Sequence, residues 1–261
     1  MRIWRNNGDG TLANSIIFLT GRGPTGIAVA DFTGDGKPDI ATSNYSNSFS
    51  LLRHNGQTGA AAGYLAPVNF TTPAQEPDRV VAVDVNGDGI LDLAVGGYHS
   101  ATNDHLISIF INGGTGNFSA PVNYQPAPGG FFSNYGLAFN DLDNDGDADL
   151  ISGGRYDVGS SSFGAITIRR NNGSGAFGNV EIYQFPGNSV PSPKEITTGD
   201  LNGDGFADII AALPSGRTSE GYGVLLSNGA GGFQTPKNYE ASQQPYDVAV
   251  FDNEKRSDKR K

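Results

Sequence analysis

Acidic residues in this 261-residue chain concentrate in four short segments whose spacing could hold a metal ion. Each segment is nine residues long and follows the pattern D-x-[DNT]-x-D-G-x-x-D, at 31–39, 84–92, 141–149 and 200–208. Together they contain 14 of the 27 Asp and Glu residues. Carboxylates crowded this closely repel one another, so the pattern calls for a compensating positive charge.

The pattern places oxygen atoms where they can surround one hard cation. Side chains at positions 1, 3, 5 and 9 and the backbone carbonyl at position 7 can point inward, and glycine at position 6 permits the sharp turn. Oxygen-only ligands favour Ca²⁺ over zinc or copper, and an all-protein cage disfavours Mg²⁺. The predicted ligands are Asp31, Thr33, Asp35, Lys37, Asp39, Asp84, Asn86, Asp88, Ile90, Asp92, Asp141, Asp143, Asp145, Asp147, Asp149, Asp200, Asn202, Asp204, Phe206 and Asp208, with Lys37, Ile90, Asp147 and Phe206 acting through the backbone carbonyl.

We therefore expect about four structural Ca²⁺ ions, one in each of the four segments. An EF-hand is excluded because position 12 holds Thr42, Val95, Ser152 or Ala211, where that motif needs Glu. Bare Asp-Gly turns are the alternative, but they do not explain the same ligand spacing in all four segments. The first segment should bind most weakly because it has Thr33, and the third most tightly because it has five aspartates.

Each acidic segment lies between two strand-like runs. The preceding runs are 26–30, 79–83, 135–139 and 194–199, and apolar runs follow each segment directly. Further on, a third apolar run ends in a polar glycine turn, as in LLRHNGQTG from Leu51, and a short run such as PVNF (67–70) closes the unit. One repeat is thus strand A, acidic loop, strand B, variable loop, strand C, turn and strand D.

Four antiparallel strands repeated every fifty-odd residues predict an all-β fold, a β-propeller of four-stranded antiparallel blades. About five blades are expected, four complete and one split between the termini, or else a fragment of a larger propeller. A β-sandwich would not explain the recurring acidic loop. The predicted single domain spans 1–252, with repeats at 1–23 (partial), 24–76, 77–131, 132–188, 189–243 and 244–252 (partial). In the last partial repeat, residues 245–252 supply only strand A. Residues 253–261 form a basic tail that is expected to be disordered.

The composition narrows the possible functions. The chain has no cysteine, so disulfides and thiolate chemistry are excluded. A formal net charge of −10 argues against nucleic acid as a partner. No apolar run is long enough to span a membrane, and the first residues lack the apolar segment of a signal peptide. We expect a monomer.

The motifs V-A-V/A-D-x-[NT]-G-D-G-x-x-D-[IL]-A and L-L-x-N-N-G-x-G-x-F, as they occur here, resemble FG-GAP and VCBS-type repeats over roughly 1–252. Phe163-Gly164-Ala165 partly matches the signature that gives FG-GAP repeats their name. The resemblance, which includes the propeller of integrin α-subunits, implies Ca²⁺ at the A–B loops. It also implies adhesion or recognition of an extracellular glycan or protein, at the cell surface or after secretion.

A partner would be expected on the variable B–C and D–A loops, since loops on a rigid scaffold commonly carry binding. The B–C loops are 44–48, 97–105, 154–163 and 214–221, and the D–A segments include Phe131, Phe132 and 186–193. Tyr45, Tyr98 and Tyr156, with Arg155 and His99, could form an aromatic platform, but packing between blades is the favoured interpretation. Trp4 is expected in the core.

The chain is not expected to be an enzyme. Its three histidines are His54, expected at the surface, and His99 and His105, which share one loop and have no evident nucleophile beside them. The nucleophile-elbow, phosphate-loop and zinc-protease motifs are absent from the sequence. The alternative is a propeller-fold carbohydrate lyase or hydrolase, or an accessory module of one, which would need carboxylates or histidines at the central channel, away from the acidic loops.

Overall fold

A computed structural model describes residues 1–57, 63–129, 131–186, 192–214, 221–241 and 245–250. Within these ranges the only regular elements are β-strands, eighteen in all, and no helix is present. The chain divides into two compact units, Met1–Pro126 and Ala127–Lys261. The all-β class predicted from the sequence is confirmed.

The first unit contains a two-stranded hairpin and two four-stranded sheets. The hairpin consists of β1 (Arg2–Ile3) and β2 (Ile16–Ile17). The first four-stranded sheet consists of β3 (Pro24–Ala30), β4 (Asp39–Asn44), β5 (Ser48–Leu52) and β6 (Val68–Thr71). The second consists of β7 (Glu76–Val83), β8 (Asp92–His99), β9 (Asp104–Phe110) and β10 (Val122–Tyr124).

The second unit contains two further four-stranded sheets. The third sheet consists of β11 (Phe131–Asn140), β12 (Asp149–Val158), β13 (Ser161–Asn171) and β14 (Phe177–Gln184). The fourth consists of β15 (Ile196–Gly199), β16 (Asp208–Leu213), β17 (Gly221–Leu225) and β18 (Lys237–Glu240).

All four larger sheets have the same connectivity. Each is an antiparallel meander in which strands pair in chain order. The second strand of each sheet is buried along most of its length, whereas the fourth strand is mostly exposed in three of the sheets. This is the order predicted for strands A to D, and it is the architecture of propeller blades. The number of blades, the domain bounds and the repeat bounds stay predictions.

The core of the first unit forms between its two four-stranded sheets. Phe49 on β5 is fully buried, with its ring stacked on Phe70 at 4.7 Å and in edge contact with Phe110 and Phe118. The same cluster includes Phe32, Ala41, Leu51, Val80, Leu93 and Val95. The Thr25 hydroxyl also donates a hydrogen bond to the Pro77 carbonyl at 2.7 Å, from one sheet to the next. Apolar burial and a few polar bonds therefore hold these two sheets together.

The second unit has an aliphatic core between its two sheets. Its buried members are Leu142, Ile151, Ile166, Ile168, Phe185, Ile196, Ile209, Ala211, Leu213 and Leu225. Close approach of the sheets depends on small residues: a Cβ at Gly153 would lie 2.7 Å from Ile196 Cδ1. A second cluster gathers Ala127, Phe132, Tyr156 and Ala165.

Four expectations about local structure are wrong. The predicted loop 97–105 is mostly strand, because Gly97 to His99 pair with Asp104 to Leu106 and leave a four-residue turn. The predicted loop 154–163 is instead a strand hairpin, because Arg155 to Val158 pair with Ser161 to Gly164 and leave a two-residue turn at Gly159, whose φ is +60°. Residues 245–250 contain no strand, since no described residue pairs with them along a ladder. Trp4 is 50% exposed and is not a core residue, because it lies beyond the short strand β1.

Several predicted features lie outside the described residues. These are the basic tail 253–261, most of the loop 214–221 and most of the segment 186–193. Among the residues that are described, no helix has the length and hydropathy needed to cross a lipid bilayer.

Candidate metal centre

The four acidic segments connect the first and second strands of the four-stranded sheets. In each sheet the first aspartate directly follows the first strand, and the ninth-position aspartate is the first residue of the second strand. Asp31, for example, follows the last residue of β3, and Asp39 begins β4. The predicted ligands of each segment therefore lie in one loop at the end of a sheet. Their role as ligands stays a prediction.

The first aspartate of each segment organises its loop by accepting backbone amide hydrogen bonds. Its Oδ2 accepts the N–H of the glycine at position 6, with N···O distances of 2.7, 2.8, 2.9 and 2.9 Å for Asp31, Asp84, Asp141 and Asp200. Its Oδ1 accepts one or more amides from positions 3 to 5. These glycines have φ between +76° and +95°, which explains why the pattern requires glycine there.

These amide donors also affect the acidity of the first aspartate. The N–H of Gly205, the strongest influence, lowers the pKa of Asp200 below its ordinary value, and further loop amides add to this against the opposing effect of burial. For Asp31, burial alone would raise the pKa, but the amides of Gly36, Thr33 and Gly34 together lower it. Both side chains are therefore held as carboxylates, the form that binds a cation.

The ninth aspartate links the acidic loop to the turn between the third and fourth strands. Asp39, Asp92, Asp149 and Asp208 are all fully buried. Their Oδ2 atoms accept the N–H of the loop's second residue at 2.9–3.2 Å. Their Oδ1 atoms accept the N–H of His54, Asn112, Asn171 and Ser227, respectively, at 2.7–2.9 Å. Burial raises the pKa of Asp92 and Asp149, against the lowering effect of these amides.

The fifth aspartate shapes the segment that supplies the predicted backbone ligand. The N–H at position 7 donates to its Oδ1 at 2.8–2.9 Å in all four loops. In the second and fourth loops, the amide groups of Asn86 and Asn202 donate to Oδ2 of Asp88 and Asp204 at 3.0 and 2.9 Å. In the first loop, Thr33 Oγ1 instead donates to Asp39 Oδ2 at 3.2 Å. Position 3 therefore contacts a predicted carboxylate ligand in these three loops.

The third loop brings three carboxylates into one small volume. One oxygen from each of Asp141, Asp143 and Asp145 lies within 4.8 Å of the others, and this is the only such group of three acidic or histidine side chains in the described ranges. Burial, and secondarily the charge of Asp145, raises the pKa of Asp143. Oδ1 of Asp143 is buried and accepts no hydrogen bond from any described group. A carboxylate group with a buried oxygen that has no hydrogen-bond partner fits a Ca²⁺ ligand set.

A protein cation also lies beside this third loop. Arg170 Nη1 is 2.7 Å from Asp149 Oδ2 and 3.9 Å from Asp143 Oδ2, and Nε is 3.2 Å from Glu181 Oε1. Its Nη2 donates to the carbonyl of Gly231. The sequence pattern does not reveal this contact: Arg170 lies 21 residues from Asp149, and only the pairing of β12 with β13 brings them together. Arg170 directly precedes Asn171, the residue whose N–H binds the ninth aspartate of the third loop. In the first, second and fourth sheets the corresponding position is held by Arg53, Ile111 and Leu226.

The candidate platform of tyrosines is divided by burial. Tyr156 is 6% exposed, packs against Phe132 and Phe163 of its own sheet, and donates to the Pro128 carbonyl at 3.1 Å, so it is a packing residue within one sheet, and the packing between blades favoured from the sequence stays a prediction. Tyr45 is 54% exposed, and a hydrogen bond with Glu76 raises its pKa. Tyr98 packs edge-on against His105 at 5.9 Å.

The two histidines weighed for catalysis lie at the hairpin of β8 and β9. His105 is 9% exposed, and burial lowers its pKa to about 4. Its Nδ1 is buried without a hydrogen-bond partner among the described groups. His99 Nδ1 lies 3.0 Å from Thr102 Oγ1 within the turn. Neither ring is paired with a described carboxylate in a catalytic arrangement.

Comparison with known proteins identifies the repeat. The family described as FG-GAP-like repeat matches residues 1–42, 84–152 and 154–211, and the FG-GAP repeat family matches residues 23–65. Integrin alpha-V of Gallus gallus is 30% identical over 161 residues, which cover 58% of this chain. The chain spans only 15% of that relative's length.

Among solved structures, the chain resembles one described as the crystal structure of BBS1N in complex with ARL6DN, soaked with lead. The TM-score is 0.49 with 15% sequence identity, over 85% of this chain and 59% of that one. The FG-GAP-like family match covers all four acidic loops and most of the strands around them. Together with the repeated four-stranded antiparallel sheets, they show that this chain belongs to the FG-GAP repeat family and has an integrin-like β-propeller fold.

Proposed function

We propose that this protein is a non-catalytic recognition module that acts outside the cell and is stabilised by Ca²⁺ in its four acidic loops. Family membership and the similarity to integrin alpha-V support the recognition role and the extracellular location. The partner is an extracellular glycan or protein. The chain's negative net charge also disfavours nucleic acid as the partner.

The observation that carries this proposal is the carboxylate cluster of Asp141, Asp143 and Asp145 on a backbone frame that recurs in all four loops. A bound Ca²⁺ would supply the positive charge that lets these carboxylates lie close together. The side chains at positions 1, 3, 5 and 9 and the carbonyl at position 7 would hold it. The first aspartate fixes the turn through amide bonds, and the ninth connects the loop to the turn after the third strand.

This arrangement indicates a structural metal rather than a catalytic one. In each sheet, the ninth aspartate already bridges three backbone segments, so a cation beside it would join the loop, the second strand and the turn after the third. The loops repeat one geometry, whereas a reaction centre needs a distinct set of groups at one place. The cation is therefore expected to raise stability without taking part in a reaction.

Thermal melts of the purified protein test the proposal. In Ca²⁺ the melting temperature should rise well above that in excess chelator, because a ligand bound only by the native state stabilises it by RT ln(1 + [L]/Kd), about 2.7 kcal/mol at 100 times Kd. An Asp84→Ala variant should lose part of this increase, and Asp157→Ala, outside the loops, should keep all of it. Equal melting temperatures in Ca²⁺ and in chelator would contradict the proposal.

A further inference from the structure

A pocket of about 550 Å³ lies in the first unit, between the hairpin of β1 and β2 and the first four-stranded sheet. Its hairpin side is formed by Ile3, Trp4, Arg5, Asn6, Ala13, Asn14, Ile16 and Phe18, and its sheet side by Pro38, His54, Gly63 and Tyr64. None of these residues belongs to the predicted metal ligands. The volume is in the range of small-molecule sites.

Aromatic rings form much of the pocket wall. Tyr64 is in edge contact with Phe18 at 6.1 Å and with His54 at 5.7 Å, so the three rings make a continuous surface. Trp4, the only tryptophan of the chain, is half exposed at the same pocket. An exposed indole face that adjoins a pocket offers a flat apolar surface to a ligand ring.

Neutral polar groups surround this aromatic surface. Within the described ranges, the Asn14 side chain and the Tyr64 hydroxyl make no hydrogen bond. The Asn6 Oδ1 accepts the N–H of Gly8 at 2.8 Å, which leaves its amide N–H groups available. His54 Nδ1 accepts the N–H of Gly56 at 3.0 Å, so in the neutral ring the proton is on Nε2, which can donate. Uncommitted donors and acceptors therefore adjoin the aromatic wall.

This combination defines the chemistry of a ligand. A saccharide ring has an apolar C–H face that can lie on an aromatic side chain and hydroxyls that both donate and accept hydrogen bonds. Among the described residues no carboxylate lines the pocket, which disfavours cations and amines, and Arg5 is the only charged side chain in its wall. We propose that this pocket binds a neutral sugar unit, with its C–H face on Trp4 and its hydroxyls on Asn6, Asn14 and Tyr64. The inference rests on the proposed recognition function and names its ligand class.

Fluorescence of Trp4 tests the inference directly, because the chain has a single tryptophan. The full protein in Ca²⁺ is titrated with the methyl glycosides of glucose, galactose, mannose and N-acetylglucosamine. At least one should produce a saturable change in Trp4 emission with a Kd of about 1 mM, typical of a small, open site. Asn14→Ala should weaken that binding about 2- to 12-fold, the equivalent of one hydrogen bond.

Two variants distinguish binding in this pocket from binding elsewhere on the protein. Trp4→Ala, followed by ligand-detected NMR, should abolish binding of the same sugar. Tyr222→Ala, which removes an exposed aromatic ring from the fourth sheet, should leave it unchanged. A titration that does not saturate with any of the sugars, or binding that survives both Asn14→Ala and Trp4→Ala, would overturn the inference. If Ca²⁺ still raises the melting temperature in that case, the assignment of the pocket fails while the calcium-stabilised module stands.

Discussion

Replacing Arg170 with leucine should increase the Ca²⁺ affinity of the third loop while it destabilises the metal-free protein. The guanidinium lies 2.7 Å from Asp149 and 3.9 Å from Asp143, two predicted ligands of that loop. It therefore supplies, without metal, part of the positive charge that a cation would provide. Leucine is a suitable replacement because Leu226 has the equivalent position in the fourth sheet.

The magnitude follows from the burial of the pair. The Asp149 side chain is 1% exposed and that of Arg170 is 20% exposed, and losing one partner of a buried pair costs about 3–5 kcal/mol. Because Arg170 is partly solvated, we expect about 2–3 kcal/mol in chelator. For a domain of this size that is a fall in melting temperature of about 5–10 °C. In Ca²⁺ the fall should be smaller, since the freed carboxylates then bind the cation.

Calorimetric Ca²⁺ titration and melts with and without chelator measure both effects. The Kd of the third loop should decrease about 10- to 100-fold in Arg170→Leu, which corresponds to about 1.4–2.8 kcal/mol. Arg155→Leu is the matched control, because it removes an arginine of the same sheet whose partner Asp157 is outside the loops. Leu226→Arg is the reciprocal variant and should weaken the fourth loop. The reasoning is refuted if Arg170→Leu leaves the Kd unchanged and lowers the melting temperature equally with and without Ca²⁺.

Two other perturbations test the described structure. His105 has a folded-state pKa of about 4 against an ordinary value of 6.5, so below pH 6.5 the unfolded chain binds a proton that the folded protein does not. The free energy of unfolding should therefore fall by up to about 3 kcal/mol between pH 6.5 and 4. In urea melts over this pH range, His105→Leu should remove most of the fall, and the control His99→Ala should keep it. An unchanged pH profile in His105→Leu would show that another group causes the loss. Gly89 has φ +80° with no atom within 4 Å of an added Cβ, so Gly89→Ala should lower the free energy of unfolding by about 1–2 kcal/mol through backbone strain alone. Gly178 does not have a positive φ, so Gly178→Ala should lower it less in the same denaturation assay. Equal decreases in the two variants would argue against the turn geometry.

The sequence predicts the repeated part of this fold because its signals are local. Each acidic segment, the runs that flank it and the glycine turn that follows lie within a few dozen residues, and alternating or continuous apolar patterns identify the strands. The nine-residue spacing also places the first and ninth aspartates at the end of one strand and the start of the next, as the structure shows for Asp31 and Asp39.

Contacts that depend on sheet pairing could not be predicted in the same way. The ninth aspartates bind amides 15 to 22 residues away, and this separation differs between sheets because both the strands and the connections between them differ in length. The role of Arg170 beside Asp149 depends on the same pairing. The hairpin at 154–163 is not predicted because its many glycines and serines resemble a loop, whereas pairing between β12 and β13 keeps it extended. The exposure of Trp4 depends on how β1 and β2 lie against the next sheet.

The central claim, that the acidic loops hold structural Ca²⁺, is tested most directly by counting bound ions. The protein is stripped with chelator, reloaded, dialysed against trace Ca²⁺ and measured by elemental analysis, in parallel with an Asp84→Ala variant. The account predicts about four ions per chain, one for each loop, and one fewer in the variant. Retention of no Ca²⁺ above the dialysis background, or an equal count in the variant, would contradict it.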